Sequence, residues 1–297
     1  MNELNELLQR AERVLSRLEA WLPGPAPEPD WNAALAFRWL RRHGRAELKP
    51  VPQHHRIQLA DLQDIDEQKE RIDRNTRQFL AGRRANNVLL TGARGTGKSS
   101  LIKALLTEYG AQGLRLIEVD KSDLIDLPEI VELLEKRPER FILFCDDLSF
   151  EEGEDAYKAL KSVLDGSIAA VADNVLVYAT SNRRHLMPEY HAENLQARNV
   201  GGEIHPGEAV EEKISLSERF GLWISFYPFS QEQYLAIVAH WLSHFGVDAA
   251  AIEGARAEAL QWALMRGSRS GRVAWQFARD YAGQLGDPPG AHREAEA

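Results

Sequence analysis

Cysteine is almost missing from the sequence, since Cys145 is the only one in 297 residues. A single cysteine excludes an intrachain disulfide and a zinc site built from several cysteines. Apolar runs of membrane length, about 18 residues, do not occur, and the first residues lack the apolar core of a signal peptide. We therefore expect a cytoplasmic protein without a membrane-spanning segment.

Positive charge is also scarce, because 36 Lys and Arg residues stand against 45 Asp and Glu residues, a net charge of -9. This balance argues against non-specific nucleic-acid binding by the whole surface. A local exception lies between Arg38 and Arg56, where basic residues outnumber acidic ones beside Trp31 and Trp39. A protein partner is favoured for this segment, with nucleic acid as the open alternative.

Four parts are expected along the chain. They are a helical N-terminal extension (1–50), an α/β domain (51–229), a small all-α lid (230–285) and a polar tail (286–297). In the extension, leucines at helical spacing predict an amphipathic helix over 2–22, and 31–45 predicts a second short helix after a proline-rich linker. Such an appendage is the expected site for an unknown protein partner.

The α/β domain alternates apolar runs with helical patterns, which is typical of a parallel sheet covered by helices. Five strands are predicted: 87–92, 114–120, 141–147, 174–182 and 222–229. From Ser230 the pattern is helical only, and Ser230 with Gln233 forms a capping box.

The sequence "GARGTGKS" follows the first of these strands and precedes a helical pattern. Its glycines let backbone N–H groups turn towards an anion at the start of the helix. Lys98 is expected to reach the β- and γ-phosphates, and the Ser99 hydroxyl is expected to bind Mg²⁺. The predicted ATP-binding residues of this loop are Gly92, Ala93, Arg94, Gly95, Thr96, Gly97, Lys98, Ser99 and Ser100. This pattern predicts a three-layer P-loop fold with ATP and Mg²⁺ as its ligands.

Two acids end the buried strand "FILFCDD", at the sheet edge where ligands of open α/β sheets bind. Asp146 is the expected carboxylate on the magnesium side, and Asp147 is the candidate for orienting or activating the attacking water. The nearby Glu151, Glu152 and Glu154 are expected to be a charged loop and a first helical turn. A GTPase is disfavoured because the base-reading motif N-K-x-D is missing after the acid strand.

With these motifs in place, the chain resembles the AAA+ ATPases over about residues 50–285. More narrowly it resembles a bacterial family of predicted AAA+ proteins once known only as a domain of unknown function. The segments that carry the resemblance are "NNVLLTGARGTGKSSLIKALL", "RFILFCDDLSFEEG", "ATSNRRHL" and "SERFGLWISFYPF". In such ATPases the sensor strand is inserted between the phosphate-loop strand and the acid strand.

The resemblance implies roles for residues outside the phosphate loop. Leu62 and Ile65 would contact the adenine, and Asn182 would be the polar sensor, with a plain turn residue as the alternative. Arg272 would be the second sensor at the start of a lid helix, a role that Arg269 could take instead.

An arginine finger is also implied, and its expected residue is Arg219. A finger inserts into the neighbouring subunit's site, so it implies a homo-oligomer. A salt bridge with Glu218 or Glu212 is the alternative role for Arg219. The pair Arg183 and Arg184 competes for the role of finger.

These features predict a Mg²⁺-dependent ATPase that acts as an oligomer on an unknown macromolecular partner. One departure from the superfamily weakens the prediction of ATP hydrolysis, since Asp147 stands where Glu is usual. Asp reaches about 1.5 Å less far than Glu, and a 1 Å misplacement of a catalytic group costs on the order of 10²-fold in rate. A slow or non-hydrolysing ATP-gated switch is therefore the alternative. A small-molecule kinase is a distant third, and the long polar segment at about 186–213 receives no role.

Overall fold

The computed structural model describes residues 10, 12–13, 29–42, 45–52, 57–150, 154–165, 172–182, 198–200, 203–205 and 216–286. Most of the predicted amphipathic helix at 2–22 lies outside these residues, as do Arg183, Arg184 and the tail beyond 286. Within the described residues, no helix is both long and apolar enough to cross a membrane.

Nine strands and eight α-helices make up this described part. The strands are β1 Ala36–Arg42, β2 Arg45–Val51, β3 Val88–Gly92, β4 Leu114–Glu118, β5 Arg140–Cys145, β6 Val175–Ser181, β7 Arg198–Val200, β8 Glu203–His205 and β9 Leu222–Phe226. The helices are α1 Asp66–Leu80, α2 Lys98–Tyr109, α3 Leu127–Leu134, α4 Asp155–Asp165, α5 Gln231–His244, α6 Ala249–Gly254, α7 Arg256–Met265 and α8 Gly271–Leu285. Three 3₁₀ helices cover Leu59–Asp61, Gly110–Gln112 and Lys121–Asp126.

The main sheet has seven strands in the order β2-β1-β4-β5-β6-β3-β9, and β7 and β8 pair separately. The five predicted strands, β4, β5, β6, β3 and β9, are parallel to one another, as predicted. The strand that ends near Asn182, β6, lies between the phosphate-loop strand β3 and the acid strand β5. The predicted sensor-strand insertion is therefore present, but the predicted number of five strands is wrong.

Of the two additional strands, β1 lies in the segment 31–45, for which a helix was predicted, and β2 begins at the last residue of that segment. They are an antiparallel hairpin, and β1 lies parallel beside β4 at the edge of the sheet. The physical reason is an alternation of period two: Phe37 and Trp39 are 1% and 3% exposed, whereas Arg38 between them points to solvent. Residues 36–42 and 45–51 are therefore part of the sheet and not a helical appendage.

Alternation along the buried strands also assigns side chains to the two faces of the sheet. In β5, Ile142 and Phe144 pack on the face covered by α1, α2 and the lid. Phe141, Leu143 and Cys145 pack on the other face, against α3 and α4. Because successive side chains point to opposite faces, the residue after Cys145 faces α2.

The lid consists of α5 to α8 and packs on the α2 side of the sheet. The predicted capping box begins α5, since Ser230 Oγ accepts the Gln233 N–H at 3.2 Å and Gln233 Oε1 accepts the Ser230 N–H at 2.9 Å. Ser270 caps α8 in the same position, accepting the Val273 N–H at 3.3 Å. These caps set where the two longest lid helices begin.

Candidate functional site

The phosphate loop connects β3 to α2 and ends at the N-terminus of that helix, where the dipole favours an anion. Gly92 begins the loop with a φ of 133°. A Cβ at Gly92 would lie 1.9 Å from the Phe226 carbonyl oxygen in β9. Only glycine fits there, which fixes the loop closely against the neighbouring strand.

Lys98 is buried at the base of this loop, 5% exposed. Its Nζ donates to the carbonyl oxygens of Gly92 at 2.8 Å and Ala93 at 2.7 Å. A third bond goes to Asn182 Oδ1 at 3.1 Å. The ammonium group thus joins the loop to the end of β6.

Burial lowers the pKa of the Lys98 ammonium, while the charges of Asp146 and Asp147 oppose the shift. Arg94 and Arg272 lower that pKa further, because like charges disfavour protonation. Three cationic and two anionic side chains therefore act on one another around the loop. A bound polyphosphate would offset the cost of burying the ammonium.

Two hydroxyl groups meet the Asp146 carboxylate at the edge of the sheet. Ser99 Oγ donates to Asp146 Oδ1 at 2.7 Å, and Thr180 Oγ1 donates to the same oxygen at 2.5 Å. Hydroxyl and carboxylate oxygens are the ligands that Mg²⁺ prefers. In the described part of the chain, no group of three or more His, Cys, Asp and Glu could hold a metal on its own. Ser99 and Asp146 thus fit an ion that takes its other ligands from phosphates and water.

Asp147 lies beside the loop with a φ of 52°, in the left-handed region. Asn182 Nδ2 donates to its Oδ1 at 2.5 Å, and the Arg94 guanidinium lies 3.6 Å from its Oδ2. Both carboxylate oxygens are therefore engaged by side chains of the site. Asn182 thus contacts both Asp147 and Lys98. Its role as the polar sensor stays a prediction.

The lid contacts the phosphate loop at Gly95. The Gly271 N–H donates to the Gly95 carbonyl at 2.9 Å, and a Cβ at Gly95 would lie 2.8 Å from the Cβ of Ser270. A Cβ at Gly95 would also lie 3.5 Å from the Cβ of Arg272. The start of α8 thus rests directly on the loop, which places Arg272 beside it.

A cavity of about 320 Å³ opens between the loop and the lid. Its lining residues are Ala93, Arg94, Thr96, Pro228, Phe229, Gly267, Ser268, Arg269 and Ser270. Arg269 therefore lies at this cavity, whereas Arg272 acts electrostatically on Lys98. Both second-sensor candidates stay close to the phosphate loop.

Leu62 and Ile65, the predicted adenine contacts, are buried at 8% and 4% exposure. A Cβ at Gly97 would be 3.6 Å from Ile65 Cδ1 and 3.9 Å from Leu62 Cδ2. Lys69 Nζ fixes this segment by donating to the Leu62 carbonyl at 2.8 Å. The two apolar side chains therefore lie against the end of the phosphate loop.

The candidate finger Arg219 lies away from these contacts, paired with Asp165 at the end of α4. Its Nε is 2.5 Å from Asp165 Oδ1, and Asp165 is not one of the two partners considered from the sequence. Glu218 is described but does not make this pair, and Glu212 lies outside the described residues. The assignment of Arg219 as a finger stays a prediction.

Of the three glutamates after the acid pair, Glu154 pairs with Lys121 at 3.0 Å, which agrees with a charged loop. Glu151 and Glu152 lie outside the described residues. Sequence reasoning missed Thr180 and Asp165. Thr180 carried a usable signal, because it lies near the end of the strand expected beside the acid strand.

Several solved structures are similar to this chain. A chain of the HORMA–CdnC–Trip13 complex of E. coli MS115-1 is 14% identical with a TM-score of 0.48, over 75% of this chain and 90% of that chain. A variant of RuvB from Thermotoga maritima is 14% identical with a TM-score of 0.46, over 75% of this chain and 64% of that chain. Another structure, described as the Thermotoga maritima RuvB Holliday junction branch migration motor, is 14% identical with a TM-score of 0.41, over 77% and 72%.

Among curated proteins there is no match. A family model covers residues 32–285, from just before the hairpin to the end of α8. The chain belongs to the family described as "Protein of unknown function (DUF815)".

Proposed function

We propose that this chain binds ATP with Mg²⁺ and hydrolyses it in the manner of an AAA+ ATPase. The observation that carries the proposal is the 2.7 Å bond between Ser99 Oγ and Asp146 Oδ1, next to the buried Lys98. A surface loop rich in glycine would not place a buried ammonium, a hydroxyl and a carboxylate around one helix N-terminus. That combination fits the terminal phosphates of a nucleotide and a hard cation.

Each residue of the site has a task in this proposal. Lys98 holds the β- and γ-phosphates, and Ser99 and Asp146 hold the ion. Mg²⁺, when bound, neutralises charge on the phosphate oxygens. Asp147 orients the attacking water and accepts its proton, and Asn182 fixes the carboxylate through the 2.5 Å bond to Oδ1.

The lid is the proposed moving part. Gly271 and Ser270 rest on Gly95, so a change in the phosphate loop displaces the start of α8. Arg272, in the first turn of α8, would approach or leave the γ-phosphate with that motion. Hydrolysis is thereby coupled to the angle between the lid and the sheet.

An oligomer is proposed as the active form, with Arg219 completing a neighbour's site. Support comes from the sequence resemblance and from the position of Arg219, which the ion pair with Asp165 holds at the end of α4. A finger contributes about 10³–10⁵ in rate in enzymes that use one.

A protein, rather than nucleic acid, is the proposed partner. Two of the basic side chains on the hairpin are already paired with acids: Arg38 with Glu118 and Arg41 with Asp126, each at 2.9 Å. Their positive charge is therefore largely neutralised and contributes little attraction for the phosphate backbone of a nucleic acid. The proposed partner is thus a protein whose identity is unknown.

Phosphate release over a wide range of protein concentration tests the proposal. Purified protein with Mg·ATP is compared with Lys98→Ala, which should lose nucleotide binding, and with Asp147→Asn, which should bind but not turn over. Activity per subunit that rises with concentration and vanishes in both variants is the expected result. Equal release by wild type and Asp147→Asn would remove Asp147 from the chemistry.

An ATP-gated switch is the second candidate, and one observation favours it. Asp147 has both carboxylate oxygens engaged, by Asn182 and by Arg94, so these side chains compete with an attacking water for its oxygens. Tight binding of ATP with no release at any protein concentration would select the switch over the ATPase.

A further inference from the structure

Thr180 lies beside the two acids Asp146 and Asp147, at a position that no sequence motif marks. Cys145 pairs with Ala179 in the parallel register of β5 and β6, so the next residues, Asp146 and Thr180, lie side by side. Cys145 and Ala179 face α3 and α4. The next residue of each strand points to the opposite face of the sheet, so Asp146 and Thr180 both face α2 and the phosphate loop. The side chain of Thr180 is buried there, with the residue 1% exposed.

The Thr180 hydroxyl makes two bonds of different kinds. It donates its one proton to Asp146 Oδ1 at 2.5 Å, and it accepts the Asp147 N–H at 2.9 Å. A threonine hydroxyl has one proton and two lone pairs, so these bonds fix its rotation. One buried atom therefore orients the carboxylate of the first acid and the backbone of the second.

The backbone at Asp147 needs such a contact. With a φ of 52° it lies in a region that costs an ordinary L residue about 1–2 kcal/mol. On the far side of the turn, the Leu148 N–H donates to the Thr180 carbonyl at 2.7 Å. Ser181 Oγ donates to the Leu148 carbonyl at 2.8 Å. The end of β6 thus holds the whole turn that presents the acids.

We propose that Thr180 is a positioning residue, whose hydroxyl aims the Asp146 carboxylate at Ser99 and holds Asp147 in its left-handed turn. The inference rests on the proposed function, because it concerns the site that binds Mg·ATP. Loss of the hydroxyl leaves the Asp147 N–H without its partner and frees Asp146 to rotate. Both the requirement for Mg²⁺ and the rate of turnover then change, whereas contacts of Lys98 with the nucleotide do not.

Thr180→Val is the test variant, because valine keeps the shape of threonine and removes the hydroxyl. Thr180→Ser is the matched rescue, because it keeps the hydroxyl and removes the methyl group. Thr76→Val is the control, since it makes the same replacement at a buried threonine whose hydroxyl bonds to the Ile72 carbonyl and to Tyr178. A structural role of Thr180 in packing would make serine at least as harmful as valine.

Two measurements are made on each full-length variant. The first is binding of fluorescent ADP as Mg²⁺ is titrated, which needs no turnover. We expect Thr180→Val to raise the half-saturating Mg²⁺ concentration about tenfold while binding without Mg²⁺ is unchanged. The second is kcat for phosphate release, which should fall on the order of 10²-fold for a displaced catalytic group. Thr180→Ser and Thr76→Val should stay within about threefold of wild type in both.

Thr180→Val values that match those of Thr180→Ser in both measurements would overturn the proposal. If wild type releases no phosphate, the hydrolytic function fails, but the Mg²⁺ titration still decides the role of Thr180. Circular dichroism establishes that each variant is folded. Should valine prevent folding, Thr180→Ala replaces it as a smaller variant without the hydroxyl and is held to the same expected values.

Discussion

Gly95 is the point where the phosphate loop touches the lid, and an added methyl group tests that contact. Its φ is 75°, where an L side chain costs about 1–2 kcal/mol. A Cβ would lie 2.8 Å from both Cβ and Oγ of Ser270. Because ordinary carbon contacts are about 3.5–4.0 Å, the start of α8 has to retreat by roughly 1 Å.

That retreat moves Arg272 together with α8 and breaks the 2.9 Å bond from the Gly271 N–H to the Gly95 carbonyl. A displacement of 1 Å at a catalytic group costs on the order of 10²-fold in rate. We expect Gly95→Ala to lower kcat for phosphate release by about this factor at saturating Mg·ATP. The affinity for ATP should fall less, by about 5- to 30-fold, since only the backbone strain acts on binding.

Ser270→Gly is the matched control, because it removes the two atoms that conflict with the new methyl group. On its own it should cost only a few tenths of a kcal/mol, the usual difference between Ser and Gly at a helix N-cap. The double variant should recover at least about tenfold of the lost kcat, since only the strain at position 95 is left. No recovery would refute the steric reasoning and assign the loss to the loop backbone alone.

Four further predictions concern other parts of the molecule. Trp39→Ala should destabilise the protein by about 3–5 kcal/mol, which lowers Tm by roughly 6–20 °C in a thermal melt. An unchanged Tm would contradict the conclusion that the hairpin is part of the folded core. Burial raises the pKa of the Cys145 thiol to about 12, so iodoacetamide at pH 8 should not label the folded chain, and ready labelling would show that β5 opens. Arg219→Ala should abolish concentration-dependent phosphate release while Asp165→Ala retains most of it, and equal losses would make Arg219 a structural ion pair. Asp147→Glu should lower kcat about tenfold or more, and a rise in kcat would contradict the importance of the left-handed turn.

The central strands could be predicted because each is a nearly continuous apolar run. In β5 every residue from Phe141 to Cys145 is buried, a pattern typical of a parallel strand covered on both faces. The order of the strands followed from the order of the motifs, since the resemblance to AAA+ ATPases implies a strand between the phosphate-loop strand and the acid strand. Periodicity and motif order together were sufficient for this part of the fold.

The hairpin could not be predicted in the same way. Alternation of buried and exposed residues covers only a few positions around Phe37 and Trp39, and the segment is rich in Ala, Leu and Arg, which favour helices. What makes it a strand is its pairing with β4, where Phe37 lies opposite Ile117. That partner is distant in the sequence, so tertiary contact overrides local preference.

The residues of the candidate site differ in the same way, because some are marked by a local motif and others are brought in only by the fold. Lys98 and Ser99 are fixed by a contiguous motif, because the chemistry of one loop and one helix N-terminus requires those residue types. Thr180 depends instead on the register between β5 and β6, which no local pattern contains. The pairing of Arg219 with Asp165 joins residues 54 positions apart and likewise follows only from the fold.

The left-handed backbone at Asp147 gives a physical reason for an aspartate where a longer acid would reach further. Short polar side chains such as that of Asp tolerate this region because they bond locally, whereas Glu has no such advantage. Here the carboxylate bonds to Asn182 at 2.5 Å and the N–H to Thr180 at 2.9 Å, so its place is set by β6. An extra methylene of about 1.5 Å would drive the carboxylate past Asn182 towards Arg94. In the proposed function the turn therefore supplies the reach that the shorter side chain lacks, and lengthening the acid would displace it from the water that it is proposed to orient.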